Sequence, residues 1–321
     1  MTVTVRSSAK INLGLRIGAA RSDGFHELLT VYQTIALHDV IRISVERGDG
    51  IEIRCSDPRV PRDEANTCWR VAERVLSTLK IKKRVVLEIE KSLPVQGGLG
   101  GASANAVATL VGLERAVGKK VAPAERFRIA AEVGSDLPLF LVGGTVLGSG
   151  RGEQVFPLPD LPPIACVVVT PKVGVSTPGA FAAWDRLQAA QAGSKLTVDA
   201  GSDRMIELGR ALSAWLSELY SGAPIRGRAE NPLLALVRAG IENDFEQVVF
   251  PEYPELGEGK RALLRAGAKY ASLSGSGSTL YGLFASKTGA MRAAAALAKQ
   301  GWAVEATTTL PRRAYWKRLQ K

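Results

Sequence analysis

Apolar and polar residues alternate at the start of the chain, which predicts that it opens with a β-strand over residues 2–17. The same period of two predicts strands over residues 40–46, 51–55 and 84–90. Between the last two, apolar residues recur every three to four positions, which predicts a helix over residues 66–79. The first part of the chain therefore mixes strands with helices.

The remainder of the chain continues this mixture. The patterns predict helices over 102–117 and 123–133, two short strands within 144–158, a strand over 165–170, a helical region to about 267, a hairpin over 270–273 and 280–284, a helix over 288–299 and a strand over 303–309. Four prolines in residues 157–163 mark a domain junction, because proline continues neither a helix nor a central strand. Residues 189–203 are rich in Ala, Gly and Ser, which predicts a loop.

The composition is that of a folded protein with an excess of positive charge. Of 321 residues, 46% are apolar and 23% are charged, which are globular values. A single core stops growing at about 250–300 residues, so one large or two ordinary domains are expected. The net charge of +11 fits a nucleic-acid binder, a membrane-surface protein or an enzyme for a polyanionic small molecule.

The low numbers of cysteine and histidine residues and the scarcity of basic residues next to aromatic ones argue against several classes of protein. Three isolated cysteines argue against a disulfide framework or a structural zinc site, and two histidines argue against a histidine-rich metal site. Only Tyr315 and Trp316 lie among basic residues, whereas nucleic-acid binders more often show a stripe of both types. No secretory signal and no apolar stretch of membrane-spanning length is visible. We therefore expect a cytoplasmic protein that binds neither nucleic acid nor membrane.

The sharpest local signal is a glycine-rich loop, PVQGGLGGASAN, at residues 94–105. It lies between a predicted strand and a predicted helix. Glycines let backbone N–H groups approach a ligand, and the N-terminus of the following helix adds partial positive charge, so the loop suits a phosphate chain. Ser103 offers a hydroxyl to a phosphate or to its magnesium ion. The loop lacks the Gly-Lys-Ser/Thr of a P-loop, and a tight turn without a ligand is the alternative interpretation.

Other polar residues support two interpretations each. The SGSGS sequence at 274–278 is either a simple hairpin turn or a second loop at a ligand. Lys10 lies on a polar face of the first strand, which is either solvent-exposed or functional. Asp136 precedes an apolar run, and the local sequence favours a helix N-cap over a partly buried functional carboxylate. His26 follows Phe25 in a loop, where a structural role is simpler than recognition of a base.

Taken together and in this order, these segments resemble the motifs of the GHMP small-molecule kinases along nearly the whole chain. The resemblance is carried by AKINL at 9–13 with DGFHE at 23–27, the loop at 94–106, GSDLP at 134–138 and SGSG at 274–277. The first motif is similar to that of the branch that acts on a cytidine diphosphate ester of methylerythritol. The resemblance implies an α+β fold of two domains with the active site between them. Residues 1–160 would resemble ribosomal S5 domain 2, and residues 161–321 a ferredoxin-like domain.

The resemblance also implies roles for individual residues in the transfer of the ATP γ-phosphate to the C2 hydroxyl of the methylerythritol group. Asp136 would accept the hydroxyl proton, and Lys10 would keep Asp136 ionised and stabilise the attacking oxygen. Mg²⁺ would neutralise the β- and γ-phosphates, with Ser103 as a ligand. The residues implied for ATP are Asn66 near adenine and, in the glycine loop, Pro94, Gly97, Gly98, Leu99, Gly100, Gly101, Ala102, Ser103 and Ala104.

The implied substrate site combines both halves of the chain. Asn12 would hold the methylerythritol hydroxyls, and His26 would bond the cytosine edge while Phe25 and Phe181 stack on the ring. The complete set implied for the substrate is Asn12, Phe25, His26, Thr177, Phe181, Ser274 and Gly275. A monomer or a weak homodimer is expected.

The chain departs from the family pattern at three positions, and two other functions compete with this one. Phe25 stands where the family usually has tyrosine, and Ala102 and Ala104 replace a glycine and a serine. A GHMP kinase for homoserine or mevalonate is the nearest alternative, but it would not need Phe25, His26 and Phe181 for a cytidine. A nucleic-acid-binding protein with an S5-like domain is more remote, because it would leave Asp136 and both glycine loops unused.

A cluster of basic side chains at the end of the chain has no role in the implied site. It consists of Arg312, Arg313, Lys317, Arg318 and Lys321. We therefore expect that removal of residues 312–321 leaves the activity largely unchanged.

Overall fold

The computed structural model describes residues 1–192, 200–220, 231–238 and 241–320. The chain folds into two β-sheets with helices packed on them. The first sheet contains β1 (Thr2–Ala20), β2 (His26–Glu46), β3 (Ile51–Cys55), β4 (Arg84–Glu90), β5 (Thr145–Ser149) and β6 (Gln154–Pro157). Its order is β3-β4-β2-β5-β6, and β1 pairs antiparallel with β2. The second sheet, in the order β10-β7-β9-β8, contains β7 (Ala165–Val169), β8 (Tyr270–Leu273), β9 (Leu280–Phe284) and β10 (Val304–Thr308).

The helices flank these sheets. They are α1 (Thr67–Leu79), α2 (Gly101–Val117), α3 (Pro123–Val133), α4 (Leu137–Val142), α5 (Thr177–Ala192), α6 (Ala200–Tyr220), α7 (Pro232–Arg238), α8 (Glu246–Glu252), α9 (Pro254–Arg265), α10 (Lys287–Lys299) and α11 (Arg312–Leu319). Within the described ranges, none of them combines the length and the apolar composition that a membrane span requires. The α+β class predicted from the sequence is confirmed.

Strand β1 passes through all three apolar clusters of the core. Val5 packs with the helices of the first sheet, Ile11 with the cluster between the two sheets, and Ile17 with the cluster of the second sheet. Because neighbours cover both faces of its middle section, the polar face with Lys10 and Asn12 is buried as well. Solvent exposure, one of the two interpretations of that face, is therefore wrong.

Most predicted elements are present, and the differences have local causes. Strand β2 begins at His26 rather than at residue 40, because buried polar residues interrupt its alternation. The terminal helix α11 was not predicted, and the short helix α4 was indicated only by the N-cap interpretation of Asp136. Of the predicted loop over 189–203, residues 189–192 belong to α5 and 200–203 to α6, whereas residues 193–199 lie outside the described residues.

The basic end of the chain is a packed helix rather than an appendage. In α11, Tyr315 and Leu319 are buried in the apolar cluster of the first sheet. The Tyr315 hydroxyl donates to the carbonyl oxygen of Phe140 over 2.7 Å, and Trp316 Nε1 donates to that of Val142 over 3.0 Å. Residues from beyond 161 thus complete the core of the first half. The division of the chain near residue 160 stays a prediction, as does the unchanged activity after removal of residues 312–321. Because α11 packs in the core, we expect that removal to destabilise the fold.

We expect Tyr315→Ala to lower the free energy of unfolding by about 3–5 kcal/mol, because it leaves a cavity where a large buried side chain was. The exposed neighbour Lys317 gives the control, since Lys317→Ala should change stability by less than about 0.5 kcal/mol. Urea denaturation followed by circular dichroism measures both. Equal stability of the two variants would show that α11 does not contribute to the core.

Candidate active site

A cleft of about 980 Å³ lies between the two halves of the chain, within the size range of small-molecule sites. Nearly all of the side chains selected from the sequence line it, including Lys10, Asp136, His26 and Phe181. Of the predicted site residues, only Ala104 and Ser274 are not part of the lining. The fold therefore brings segments that are distant in sequence to one place.

At the floor of the cleft, the ammonium group of Lys10 lies between an amide and a carboxylate. Lys10 Nζ donates to Asn12 Oδ1 over 2.6 Å and lies 3.3 Å from Asp136 Oδ2. Asn12 Nδ2 donates to Thr30 Oγ1, which turns the amide oxygen toward the lysine. Lys10 is only 3% exposed, and a buried charge is stable only when it is paired and hydrogen-bonded. These partners therefore determine where the ammonium group lies.

Asp136 occupies the N-cap position of α4, but its side chain makes no capping hydrogen bond. Its Oδ1 instead accepts a hydrogen bond from the hydroxyl of Tyr32 over 3.2 Å, while its Oδ2 faces Lys10. The carboxylate is about one-third exposed toward the cleft. The capping role that the local sequence favoured is thus wrong, and the alternative of a partly buried carboxylate describes its position.

Tyr32 is a site residue that the sequence did not indicate. Burial raises the pKa of its hydroxyl well above the usual value, and the negative charge of Asp136 raises it further. The hydroxyl therefore stays protonated and remains a donor to Asp136. Tyr32 belongs to the part of β2 where no strand was predicted, so no alternation indicated that its side chain turns inward.

The two glycine loops lie directly against each other. The Ser274 hydroxyl donates to the carbonyl oxygen of Gly98 over 3.0 Å, and the backbone N–H of Thr279 donates to that of Gly97 over 3.2 Å. A Cβ on Gly98 would lie 2.1 Å from the carbonyl oxygen of Ser274, a distance that no side chain tolerates. The loop at 274–278 is therefore more than a hairpin turn, since it forms one wall of the first glycine loop.

Helix α2 begins at the cleft without a capping side chain. Gly100 is its N-cap, in the left-handed conformation with φ of 68°, and it offers no side-chain acceptor to the first N–H groups. Gly101, Ala102 and Ser103 follow in the first turn and line the cleft. Uncapped N–H groups and the helix dipole together make this end of α2 suitable for an anion.

A buried carboxylate fixes α2 and the glycine loop relative to the first sheet. Asp39 in β2 is fully buried and accepts hydrogen bonds from the backbone N–H groups of Ser92 and Leu93 and from Asn105 Nδ2. The ammonium group of Lys91 pairs with it. Sequence reasoning missed Asp39, because its partners lie more than fifty residues away in the chain.

Asn66, selected for the adenine position, caps helix α1. Its side-chain oxygen accepts from the N–H of Cys68 over 2.9 Å, and its amide nitrogen donates to the carbonyl oxygen of Pro61. The residue lines the cleft, and these bonds use one of the two N–H donors and one of the two oxygen lone pairs of its amide. A contact with adenine stays a prediction.

Aromatic side chains from both halves meet at the other end of the cleft. The rings of His26 and Phe181 stack with centroids 5.0 Å apart and an interplanar angle of 13°. Phe25 is half exposed, and the guanidinium carbon of Arg151 lies 4.9 Å from its ring centre. Thr177 Oγ1 lies 2.8 Å from Ser276 Oγ, which links the start of α5 to the second glycine loop. A flat ring bordered by polar edges suits these surroundings.

The cleft offers single oxygen donors to a cation rather than a cluster of metal-ligating side chains. Across the described residues, no group of three or more His, Cys, Asp or Glu side chains is arranged to hold a metal ion. The hydroxyl of Ser103 and the carboxylate of Asp136 line the cleft. Hard oxygen donors of this kind fit Mg²⁺, which is held by few protein groups together with substrate phosphates.

Comparisons with known proteins agree with this geometry. Models of the GHMP kinases N terminal domain and of GHMP kinases C terminal match residues 66–144 and 229–302. The chain is 37% identical over 289 residues to 4-diphosphocytidyl-2-C-methyl-D-erythritol kinase of Solibacter usitatus, which covers 90% of this chain and 83% of that protein. It is 32% identical to the protein of the same name from Geobacter sulfurreducens, over 96% of this chain and 99% of that protein.

Solved structures give the same result at the level of the fold. A crystal structure of 4-(cytidine 5'-diphospho)-2C-methyl-D-erythritol kinase superposes with a TM-score of 0.70 at 28% identity, over 96% of this chain and 99% of that one. Homoserine kinase of Cytophaga hutchinsonii superposes with a TM-score of 0.71 at 20% identity, over 98% and 96% of the two chains. The second similarity concerns the fold alone.

We expect Gly98→Ala to lower the free energy of unfolding by about 2–5 kcal/mol, because a left-handed φ and a backbone clash both oppose a side chain there. Gly118 is the matched control: its φ of 69° is also left-handed, but no atom lies within 4 Å of an added Cβ. Gly118→Ala should therefore cost only about 1–2 kcal/mol. Thermal denaturation of both variants measures the difference, and equal losses would contradict the tight contact between the loops.

Proposed function

The chain belongs to the 4-diphosphocytidyl-2-C-methyl-D-erythritol kinase family of the GHMP kinases, and on that premise we propose that it phosphorylates the substrate after which the family is named. The reaction transfers the γ-phosphate of ATP to the C2 hydroxyl of the methylerythritol group. It yields the 2-phosphate and ADP, in the non-mevalonate route to isoprenoids. The observation that carries this proposal is a single cleft that contains the Lys10–Asp136 pair, an uncapped helix N-terminus and the His26–Phe181 stack.

The phosphate chain of ATP belongs at the first glycine loop and the start of α2. Phosphoryl transfer needs mainly positioning and stabilisation of negative charge. The N–H groups of Gly101 and Ala102 and the positive end of the helix dipole supply that stabilisation. Mg²⁺, when bound, supplies further charge neutralisation on the β- and γ-phosphates. Ser103 is the protein group that would hold it, because its hydroxyl lies in the first turn of the helix and lines the cleft.

Asp136 is the base in this proposal. The C2 hydroxyl gives its proton to the carboxylate, and the oxygen forms a bond to the γ-phosphorus while the bond to the bridging oxygen of ADP breaks. Lys10, 3.3 Å from Oδ2, stabilises the negative charge that develops on the attacking oxygen. Tyr32 holds Oδ1, so the carboxylate has a defined orientation. Asn12 positions the lysine and offers polar atoms to the substrate hydroxyls.

The aromatic end of the cleft distinguishes this function from that of a homoserine or mevalonate kinase. Phe25, His26 and Phe181 present ring faces and a polar edge beside one another. A cytosine ring uses both features, whereas homoserine and mevalonate have no aromatic ring. Thr177 and Gly275 complete the wall between this end and the lysine. The cytoplasmic location and the monomeric or weakly dimeric state stay predictions.

The substrate assignment is tested by an ADP-coupled assay with ATP and magnesium. We expect turnover with the cytidine diphosphate ester of methylerythritol and none above background with homoserine, mevalonate or galactose. Turnover of one of those three instead would contradict the assignment, although it would leave the GHMP family unaffected.

The catalytic assignment is tested by Asp136→Asn and Lys10→Ala. Each should lower kcat by about a hundredfold to ten-thousandfold, because each removes a group that acts on the proton or on the developing charge. Glu73→Gln, an exposed carboxylate on α1 outside the cleft lining, is the control and should retain wild-type kcat. Circular dichroism verifies that the variants are folded. A folded Asp136→Asn variant with near wild-type kcat would exclude Asp136 as the base.

A further inference from the structure

His26 has a hydrogen-bonding partner that the proposed mechanism does not use. Its Nε2 atom lies 2.7 Å from Oδ1 of Asp185, and the imidazole is 10% exposed whereas the carboxylate is 58% exposed. Asp185 comes four residues after Phe181 on α5, so both project from the same face of that helix. Helix α5 therefore contacts the ring of His26 at two places: Phe181 stacks on the face of the ring, and Asp185 is hydrogen-bonded at its edge.

This contact determines which nitrogen of the neutral imidazole carries the proton. A carboxylate only accepts hydrogen bonds, so Nε2 must be the protonated nitrogen that donates to Asp185. Nδ1 is then an acceptor, and within the described part of the chain it has no hydrogen-bonding partner. The ring lines the cleft, which leaves this acceptor to a ligand.

The second histidine shows the opposite arrangement. Nδ1 of His38 lies 2.9 Å from the carbonyl oxygen of Ala36. A carbonyl oxygen also only accepts, so the proton of neutral His38 must be on Nδ1. The two histidines of the chain are thus expected to be opposite tautomers, which makes each an internal reference for the other.

We propose that Asp185 is a positioning residue that holds His26 in the Nε2–H tautomer, so that Nδ1 accepts a hydrogen bond from the 4-amino group of cytosine. This rests on the proposed function. On the edge of cytosine, O2 and N3 accept hydrogen bonds and only the 4-amino group donates. An acceptor such as Nδ1 can therefore bond the base only at its 4-amino group. A uracil ring carries an oxygen at position 4, and two acceptors would face each other. Asp185 thereby contributes to the choice of cytosine without touching it.

The tautomer is measured directly in the full-length chain labelled with ¹⁵N-histidine. Long-range proton–nitrogen spectra at alkaline pH, where both rings are neutral, distinguish the protonated from the unprotonated nitrogen of each ring. We expect the protonated nitrogen to be Nε2 in His26 and Nδ1 in His38. In Asp185→Lys, whose ammonium group only donates hydrogen bonds, Nε2 has to become the acceptor, so the His26 signals should move toward the other tautomer while those of His38 stay unchanged.

Steady-state kinetics of the same variant test the consequence for the substrate. Loss of one hydrogen bond to the base should raise KM for the cytidine substrate by about tenfold. We expect kcat and the KM for ATP to stay unchanged. The preference for the cytidine over the uridine diphosphate ester of methylerythritol, expressed as a ratio of kcat/KM values, should fall by a similar factor. Arg186→Gln, which removes an exposed charge next to Asp185 but does not line the cleft, is the control and should behave like wild type.

The possible outcomes separate this proposal from the proposed function. Protonation of His26 at Nδ1 in the wild type, or an unchanged KM and base preference in Asp185→Lys, would overturn the role of Asp185. A changed tautomer together with an unchanged base preference would reduce the contact to a structural tie between α5 and β2, and would also overturn it. Absence of any turnover of the cytidine substrate by the wild type would instead overturn the proposed function, and the tautomer measurement would still decide whether Asp185 controls His26.

Discussion

The site depends on how closely the two glycine loops approach each other. A Cβ on Gly98 would lie 2.1 Å from the carbonyl oxygen of Ser274, so the contact exists only because Gly98 has no side chain. The same approach encloses Lys10, whose backbone N–H donates to the carbonyl oxygen of Leu99 and whose Nζ would lie 3.6 Å from a Cβ on Gly275. Enclosure removes the ammonium group from water, and it therefore has to pair with Asp136 and with the amide of Asn12. The contact that joins the two halves of the chain thus also creates the polar centre of the cleft.

Elements with one clear period were predictable from the sequence, and elements with buried polar residues were not. Helix α1 buries a single apolar face and strand β4 a short apolar run, and the bounds of both were predicted within one residue. The first half of β2 buries Thr30, Gln33 and Thr34, which breaks the alternation. Their partners lie far along the chain, as when Gln33 Nε2 donates to the carbonyl oxygen of Leu310. A local pattern cannot show a partner so far along the chain, and for this reason the first half of β2 was not predicted.

The same distinction applies to the candidate site. The glycine loops were predictable, because closely spaced glycines indicate a segment whose backbone can approach a ligand, wherever that segment lies in the fold. Lys10, Asp136 and His26 each allowed a bland interpretation locally, and only their joint occurrence in the order of a known family favoured a functional one. Tyr32, Asp39 and Asp185 gave no signal at all, since each acts through contacts with residues more than fifty positions away. The residues that orient the side chains of a site are therefore the hardest to predict from a sequence.

The net charge of +11 was compatible with a polyanionic ligand, but the densest basic cluster serves another purpose. Arg312, at the start of α11, donates to the carbonyl oxygens of Gly143, Thr145 and Leu158. Arg318, near its end, donates to that of Ala36. These carbonyls lie where α4 ends and where strand pairing stops, and the planar guanidinium with its five N–H donors can serve several of them at once. Neither arginine lines the cleft. Since the phosphate contacts in the proposed mechanism come from backbone N–H groups, Ser103 and Lys10, binding of a polyanion and the basicity of this chain have largely separate physical causes.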